Sequence, residues 1–382
     1  MIKEISHLMG ESAAFDGRPA RVFSISNKQG MSVTLMDIGA TWLDCSVPVD
    51  GQMREVLLSV ADMPRHIKHG TYLGATVGRY ANRITGGKFS IEGTEHTVLA
   101  NQSGNCLHGG PDGFNRRRWD AEITGELSLR FTLVSPDGDQ GFPGNLTAQV
   151  EFTLTEQNAV EIRYTAETDK ACPVNLTNHA YFNLSGAESG ADCLGHSLQV
   201  RAARYVATNA VGIPTGELKQ VEGNGFDFRQ SKAIKQDFLT DEDQKQAKGY
   251  DHAFVLDSDV QDGERVAATL VSPDRKLSMS VLTTKPAIQV YTGNYLAGTP
   301  SRQESTPITA VWPLKRSISR MHQITRSGRI PFCNPVNSIY IPPRTGLIQS
   351  LVNFWYEVSI LARTLLRAFF YLRASLANRT LL

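Results

Sequence analysis

The chain has 382 residues, 41% of them hydrophobic and 20% charged, so it is no disordered polymer and is long enough for one large domain or two modest ones. Its formal charge of +1 hides a break: residues 311–382 hold ten Lys or Arg and one acidic residue, Glu357, leaving residues 1–310 with 29 basic and 37 acidic residues, a net of −8. The body is thus a mildly acidic protein, and only the tail has the basic character of a nucleic-acid or membrane-surface binder.

The N-terminal stretch MIKEISHLMGESAAFDG carries charges and no apolar core, so it predicts no signal peptide. Residues 21–60 read as strands: RVFSISN, a turn at Lys28-Gln29-Gly30, MSVTLMD, TWLDCSVPV, and REVLLSV after a hairpin at Asp50-Gly51. In TYLGATVGRYANRITGGKF, Gly74, Gly78, Gly86 and Gly87 permit close backbone approach. Three strands follow, LSLRFTLVS, LTAQVEFTL and AVEIRYTAET, with the turn-rich loop PDGDQGFPGN between the first two. CPVNLTNHAYFNLSG (172–186) alternates like a strand, with Val174, Leu176 and Asn178 on one side and Asn175, Thr177 and His179 on the other. SLQVRAARYV (197–206) predicts another strand, and SKAIKQDFL (231–239) a helix. HAFVLDS, RVAATLVS, KLSMSVLTT and AIQVYTG (252–293) predict a second antiparallel series. No repeat or boundary interrupts residues 1–300, which read as one antiparallel β domain, either two packed sheets or one curved sandwich. Cys45, Cys106, Cys172, Cys193 and Cys333 form no C-x-x-C pair, as expected of reduced thiols in a cytoplasmic protein.

The candidate chemistry clusters in charge-poor, Gly-flanked stretches. No Lys, Glu or Arg occurs between 173 and 187, so the face with Asn175, Thr177, His179 and Tyr181 suits a wet cavity for a neutral polar ligand such as a sugar; a plain solvent-facing strand is the alternative. Arg79, Asn82 and Arg83 can fork to hydroxyls, or be ordinary surface side chains. His108 precedes two glycines that a ligand can approach closely. Asp251 can accept from vicinal hydroxyls or simply form a turn. Gln289, polar within an apolar strand, needs partners that a ligand could supply. His108 and His179 have no metal-ligand spacing, H-E-x-x-H is absent, and no P-loop, Rossmann fingerprint or G-x-S-x-G elbow occurs.

GRYANRI, LHGGPDGFNRRRW, GDQGFPGNL, PVNLTNHAYFNL, GIPTG, FDFR, KGYDHAF and VYTGNYLAGTPSR, in this order, resemble the galactose mutarotase (aldose 1-epimerase) family over residues 10–302. The resemblance implies a single-domain antiparallel β-supersandwich that interconverts α and β anomers of aldohexoses with no metal or organic cofactor. It implies His179 as the general acid at the ring oxygen, with His108 assisting there. Asn82, Arg83, Tyr181 and Asp251 would hold the sugar, and Gln289 would line the pocket. No nucleic-acid or membrane partner is expected, and nucleic-acid binding through the basic tail rests on charge alone. A neutral-pH imidazole can protonate the ring oxygen, and a carboxylate should take the proton from the C1 hydroxyl.

That carboxylate is missing. The family carries it beyond TPSR in a pattern like LALETE followed by PDAPNHPEWP, whereas Glu304 stands in the unrelated context QESTPIT and Glu357 in no matching motif. The departure begins near 303. Val311–Ser317 can be written GTC TGG CCC TTG AAA CGG AGT, which from its third base reads CTG GCC CTT GAA ACG GAG, or LALETE. Residues 318–330 can likewise give YFPDAPNHPEWPN. Residues 303–382 are therefore expected to be a frameshifted tail that leaves the family's last strands missing, sheet edges uncovered and the enzyme impaired. The final VNFWYEVSILARTLLRAFFYLRASLANRTLL can form a basic amphipathic helix; Glu357, Arg363 and Arg367 interrupt it short of the ~20 apolar residues of a membrane span. The other reading is a non-catalytic relative that binds hexoses or sugar phosphates.

Overall fold

The computed structural model describes residues 1–299, residue 302, and the strands Trp312–Lys315 and Asn337–Tyr340. The chain is mainly β, and its strand ladders are antiparallel. The first sheet is a five-stranded meander from Ile2–Ile5 to Gln52–Glu55, with the expected turn at Asp50-Gly51 joining Thr41–Val49 to its last strand. A nine-stranded sheet begins with Asp120–Gly125, Ser128–Ser135, Leu146–Leu154 and Ala159–Thr168, and continues through Asn337–Tyr340, Ser278–Thr283, Val266–Val271, Ser197–Val200 and Lys232–Ala233. A six-stranded sheet runs in the order Tyr181–Phe182, Trp312–Lys315, Ala287–Tyr291, Asp251–Val255, Arg204–Thr208, Pro214–Gln220.

Alternation explains the long strands. Along Leu146–Leu154 the residues Leu146, Ala148, Val150, Phe152 and Leu154 are all buried, and the residues between them are partly exposed or exposed. One core joins the sheets: Phe23 and Trp42 from the first, Phe131 and Phe152 from the second, Phe182 and Phe254 from the third. Trp42 lies edge-on to Phe152 at 6.5 Å and to Phe182 at 5.6 Å.

Several expectations need correction. The segment 231–239 is not a helix: Lys232–Ala233 pairs with Ser197–Leu198, and Ile234–Asp237 is a single 3₁₀ turn. SLQVRAARYV is two strands in two sheets, Ser197–Val200 and Arg204–Thr208. CPVNLTNHAYFNLSG is not one alternating strand. Only Thr177–Asn178 and Tyr181–Phe182 are strand, and residues 172–184 are all buried, with Ser185 and Gly186 partly exposed. Beyond residue 303, where sequence leaves edges uncovered, Trp312–Lys315 pairs with Tyr181–Phe182 and with Gln289–Val290, and Asn337–Tyr340 pairs with Ala159–Ile162 and Ser280–Thr283. The amphipathic-helix reading of the tail and Cys333 lie outside the described residues. Cys45, Cys106, Cys172 and Cys193 are buried and in no disulfide.

Candidate active site

His179 sits just past a two-stranded ladder in which Thr177–Asn178 pairs with Thr76–Val77. Its amide donates to the Ala75 carbonyl (2.8 Å) and its carbonyl accepts from the Gly74 amide (3.0 Å), so the backbone is clamped on both sides. Gly74 has φ +65°, and a Cβ there would lie 1.9 Å from the Trp42 carbonyl oxygen; only glycine permits this approach.

His108 follows the Cys106–Leu107 strand, which pairs with Arg83–Ile84. Its amide donates to the Asn82 carbonyl, and the Asn82 amide donates to its Nδ1, both at 3.0 Å. Nδ1 is therefore an acceptor, and a neutral ring carries its proton on Nε2. Gly109 follows with φ +92°, where a Cβ would lie 1.8 Å from the Gly78 carbonyl oxygen. The two imidazoles meet at right angles, with centroids 5.3 Å apart.

Asp251 opens the strand Asp251–Val255, paired with Tyr291 in the neighbouring strand. Gln289, two residues away on the same face, donates from Nε2 to Asp251 Oδ1 at 2.8 Å. Arg83 donates from Nε to Gln102 Oε1 at 2.7 Å, and its Nη1 reaches Asn82 Oδ1 (3.4 Å) and the Gly212 carbonyl (3.5 Å). Tyr181 donates its hydroxyl to the Thr71 carbonyl at 2.8 Å.

These residues surround a cavity of about 410 Å³, within the range of roughly 300–1,000 Å³ typical of small-molecule sites. His179, His108, Arg83, Tyr181 and Asp251 line it, whereas Asn82 and Gln289 do not. Asn82 lies one layer back, fixing His108 and Arg83. Gln289 is buried against Asp251, and that carboxylate, rather than a ligand, supplies its partner. Arg79 is not a hydroxyl-binding arm either. It is 2% exposed and donates to Ser135 Oγ and to the carbonyls of Ser135, Pro136, Pro143 and Gly144. A buried guanidinium that saturates four carbonyls is a structural pin.

Sequence reasoning missed Tyr72, Gln102, Tyr291 and Tyr295, which also line the cavity. A lone tyrosine carries no signal that separates a cavity wall from a core. Burial pushes the phenols of Tyr72, Tyr181 and Tyr291 upward, so all three stay neutral at physiological pH. Among the described residues, Arg83 and Asp251 are the charged side chains on the wall, and no group of three or more His, Cys, Asp or Glu could hold a metal ion. The wall otherwise offers imidazoles, phenols and amides. Such a surface can donate to and accept from the hydroxyls of a neutral polyol and move a proton on or off an ether oxygen.

The aldose 1-epimerase family profile matches residues 21–318. The chain belongs to that family. The match reaches past residue 303, where the motif resemblance stops. The aldose 1-epimerase of Escherichia coli K12 is 49% identical over 288 residues, 75% of this chain and 82% of that protein. Human galactose mutarotase is 34% identical over 252 residues, 65% of this chain and 70% of that protein. Among solved structures, galactose 1-epimerase from Lactobacillus acidophilus superposes with a TM-score of 0.72 at 26% identity, covering 90% of this chain and 98% of that one. An aldose epimerase homologue from Caenorhabditis elegans gives 0.73 at 26% identity, covering 84% and 98%. The fold of this aldose epimerase relative is thus of the galactose mutarotase type. Among the described residues no helix is long and apolar enough to cross a membrane.

Proposed function

We propose that the chain is built to interconvert the α and β anomers of aldohexoses such as galactose and glucose, and that as written it is impaired for want of a base. The observation that carries the reading is the cavity that brings His179, His108, Arg83, Tyr181 and Asp251 onto one wall. His179 gives a proton to the ring oxygen as the C1–O5 bond breaks, and Nε2–H of His108 donates to the same oxygen. Asp251 and Arg83 hold hydroxyls, the first steadied by Gln289 and the second by Gln102. Rotation about C1–C2 in the open aldehyde presents the other carbonyl face, and closure returns the proton and gives the other anomer. Neither histidine can also take the C1 hydroxyl proton while acting as acid, so a further group must serve as base, and a carboxylate suits that role. Asp251 is already engaged by Gln289.

The place for that base supports the frameshift reading. Strand Trp312–Lys315 runs between Tyr181–Phe182 and Ala287–Tyr291, with Leu314 opposite Val290 and Lys315 opposite Gln289. In the alternative frame the first Glu of LALETE is encoded across codons 314 and 315. It therefore falls on the strand between the one that carries Tyr181 and the one that carries Gln289. The same shift would restore acidic residues to a tail that now has ten basic ones.

A second reading, a hexose- or sugar-phosphate-binding relative without catalysis, is favoured by the single carboxylate on the described wall. Polarimetry of fresh α-galactose with the purified chain separates the two. Binding with little acceleration, together with acceleration by a chain carrying the alternative frame, supports an impaired epimerase. Binding with no acceleration in either chain supports the binder. Absence of sugar binding in both removes both readings. Apart from Arg83 and Asp251 the site uses neutral hydrogen-bonding groups, and no nucleic-acid, membrane or cofactor role is part of the proposal.

A further inference from the structure

We propose that Tyr72 is a positioning residue, the strained wedge that fixes how the imidazoles of His108 and His179 face each other; this rests on the reading of the cavity as the sugar site. Tyr72 has φ +59°, in the left-handed region that a bulky aromatic residue rarely enters. Such a conformation persists where its surroundings over-determine it, and it collects at functional sites. Here the surroundings do so. Tyr181 donates to the Thr71 carbonyl at 2.8 Å, the Thr71 amide donates to His69 Nδ1 at 3.2 Å, and the Ala75 amide donates to the Tyr72 carbonyl at 3.0 Å.

The conformation brings the ring against both histidines at once. Its centroid lies 4.7 Å from that of His108, at 71°, and 5.7 Å from that of His179, at 30°. With the imidazoles 5.3 Å apart, the three rings close a triangle. On His179 a second phenol, that of Tyr181, packs at 4.9 Å. His108 and Asn82 are left-handed as well, with φ +52° and +72°. Of these three left-handed residues only Tyr72 is of a type that rarely adopts the conformation. Asn82 sets which nitrogen of His108 carries the proton, and the rings packed on the imidazole bound its tilt. Tyr72 packs on His108 and on His179 alike, and so limits the tilt of both rings. Proton transfer is steeply sensitive to such misalignment.

The test uses the full chain with Tyr72→Phe and Tyr72→Asn. Asparagine tolerates the left-handed region, so the second variant removes the ring without adding strain, and urea unfolding confirms that it folds. Carbon-13 relaxation of the imidazole Cε1 groups reads ring motion directly and does not respond to the loss of a neighbouring ring current. In Tyr72→Asn the order of His108 and His179 should fall while that of His196 and His252 holds; in Tyr72→Phe all four should match the parent. Unchanged order at both cavity rings in Tyr72→Asn overturns the proposal. So does an equal loss at all four histidines, or a loss in Tyr72→Phe as large as in Tyr72→Asn. Galactose titration of the parent keeps the two readings apart. Binding with unchanged ring order defeats the wedge alone, and absent binding defeats the sugar site whatever the rings do. If Tyr72→Asn does not fold, Tyr72→Met takes its place with the same outcomes.

Discussion

His196 and His252 are as buried as His108 and His179, at 1%, 0%, 3% and 1% exposure, yet the two pairs live in different worlds. The Nε2 of His196 accepts from the Leu184 amide at 3.1 Å, and its Nδ1 faces the Cys193 carbonyl at 3.2 Å. His252 is packed edge-on against Phe226 and Tyr205, with its Nδ1 accepting from the Asp251 amide. Burial lowers the pKa of each to about 4, which makes them neutral spacers. His108 and His179 instead border a cavity beside phenols and a guanidinium. Depth of burial does not separate the two pairs; what stands beside each ring does. The arginines of GRYANR divide the same way, with Arg79 pinned among carbonyls and Arg83 on the cavity wall.

The largest effect should come from completing the cavity side of the comparison. A chain carrying the alternative frame from residue 303 should accelerate anomer exchange about 10²–10⁴-fold over the chain as written, measured by polarimetry. His179→Gln in that chain should remove the gain, whereas His196→Gln should leave it in place in whatever fraction folds. Equal rates in the two frames would break the link between the missing carboxylate and the cavity.

The arginines come next. Arg79→Ala removes a charged donor from four carbonyls, two of the bonds buried and two part-buried, and should cost about 3 kcal/mol or more in urea unfolding. Arg83→Ala should cost about 1 kcal/mol or less but weaken galactose binding about ten-fold or more, by calorimetry. If the two variants exchange these outcomes, the division of the motif is wrong.

Acid should expose the packed histidines. His66 is lowered to about 3, and His69, His196 and His252 to about 4, with burial the first cause in each. Below the ordinary imidazole value near 6.5, the unfolded chain binds protons that the folded chain refuses. Their contribution is therefore complete above about pH 6.5 and is lost as pH falls toward 4, at up to about 1.4 kcal/mol per pH unit for each such histidine. Urea midpoints should drop from pH 7 to pH 5; a midpoint that holds or rises contradicts the burial. The smallest effect belongs to Gln289→Leu. Freeing Asp251 from its bond should weaken galactose about three- to ten-fold while leaving the fold intact.

Much of the fold was legible because the strands that build it bury one face. Ser128–Ser135, Leu146–Leu154 and Ala159–Thr168 show their alternation openly. The segment around His179 misled because both of its faces are buried, so period two carried no information there. The segment 231–239 misled because a two-residue strand and one 3₁₀ turn share the spacing of a short helix. The helices Met63–Lys68 and Glu242–Ala247 are six residues each, too short to show a period. In the site, five residues were legible from polar types in charge-poor, Gly-flanked stretches. Asn82 and Gln289 were placed near the site but one layer too far forward, since sequence gives no distance to a cavity. Tyr72 was invisible because its left-handed backbone is imposed by Thr71, Tyr181 and Ala75, and no residue type announces it.

The most direct test of the sugar cavity is a galactose titration of the full chain with isotope-labelled histidines, assigned by single His→Gln variants. The signals of His108 and His179 should move together and saturate, while those of His196 and His252 stay still. Saturating binding that leaves the first two unmoved, or moves all four alike, would contradict a sugar site at this wall.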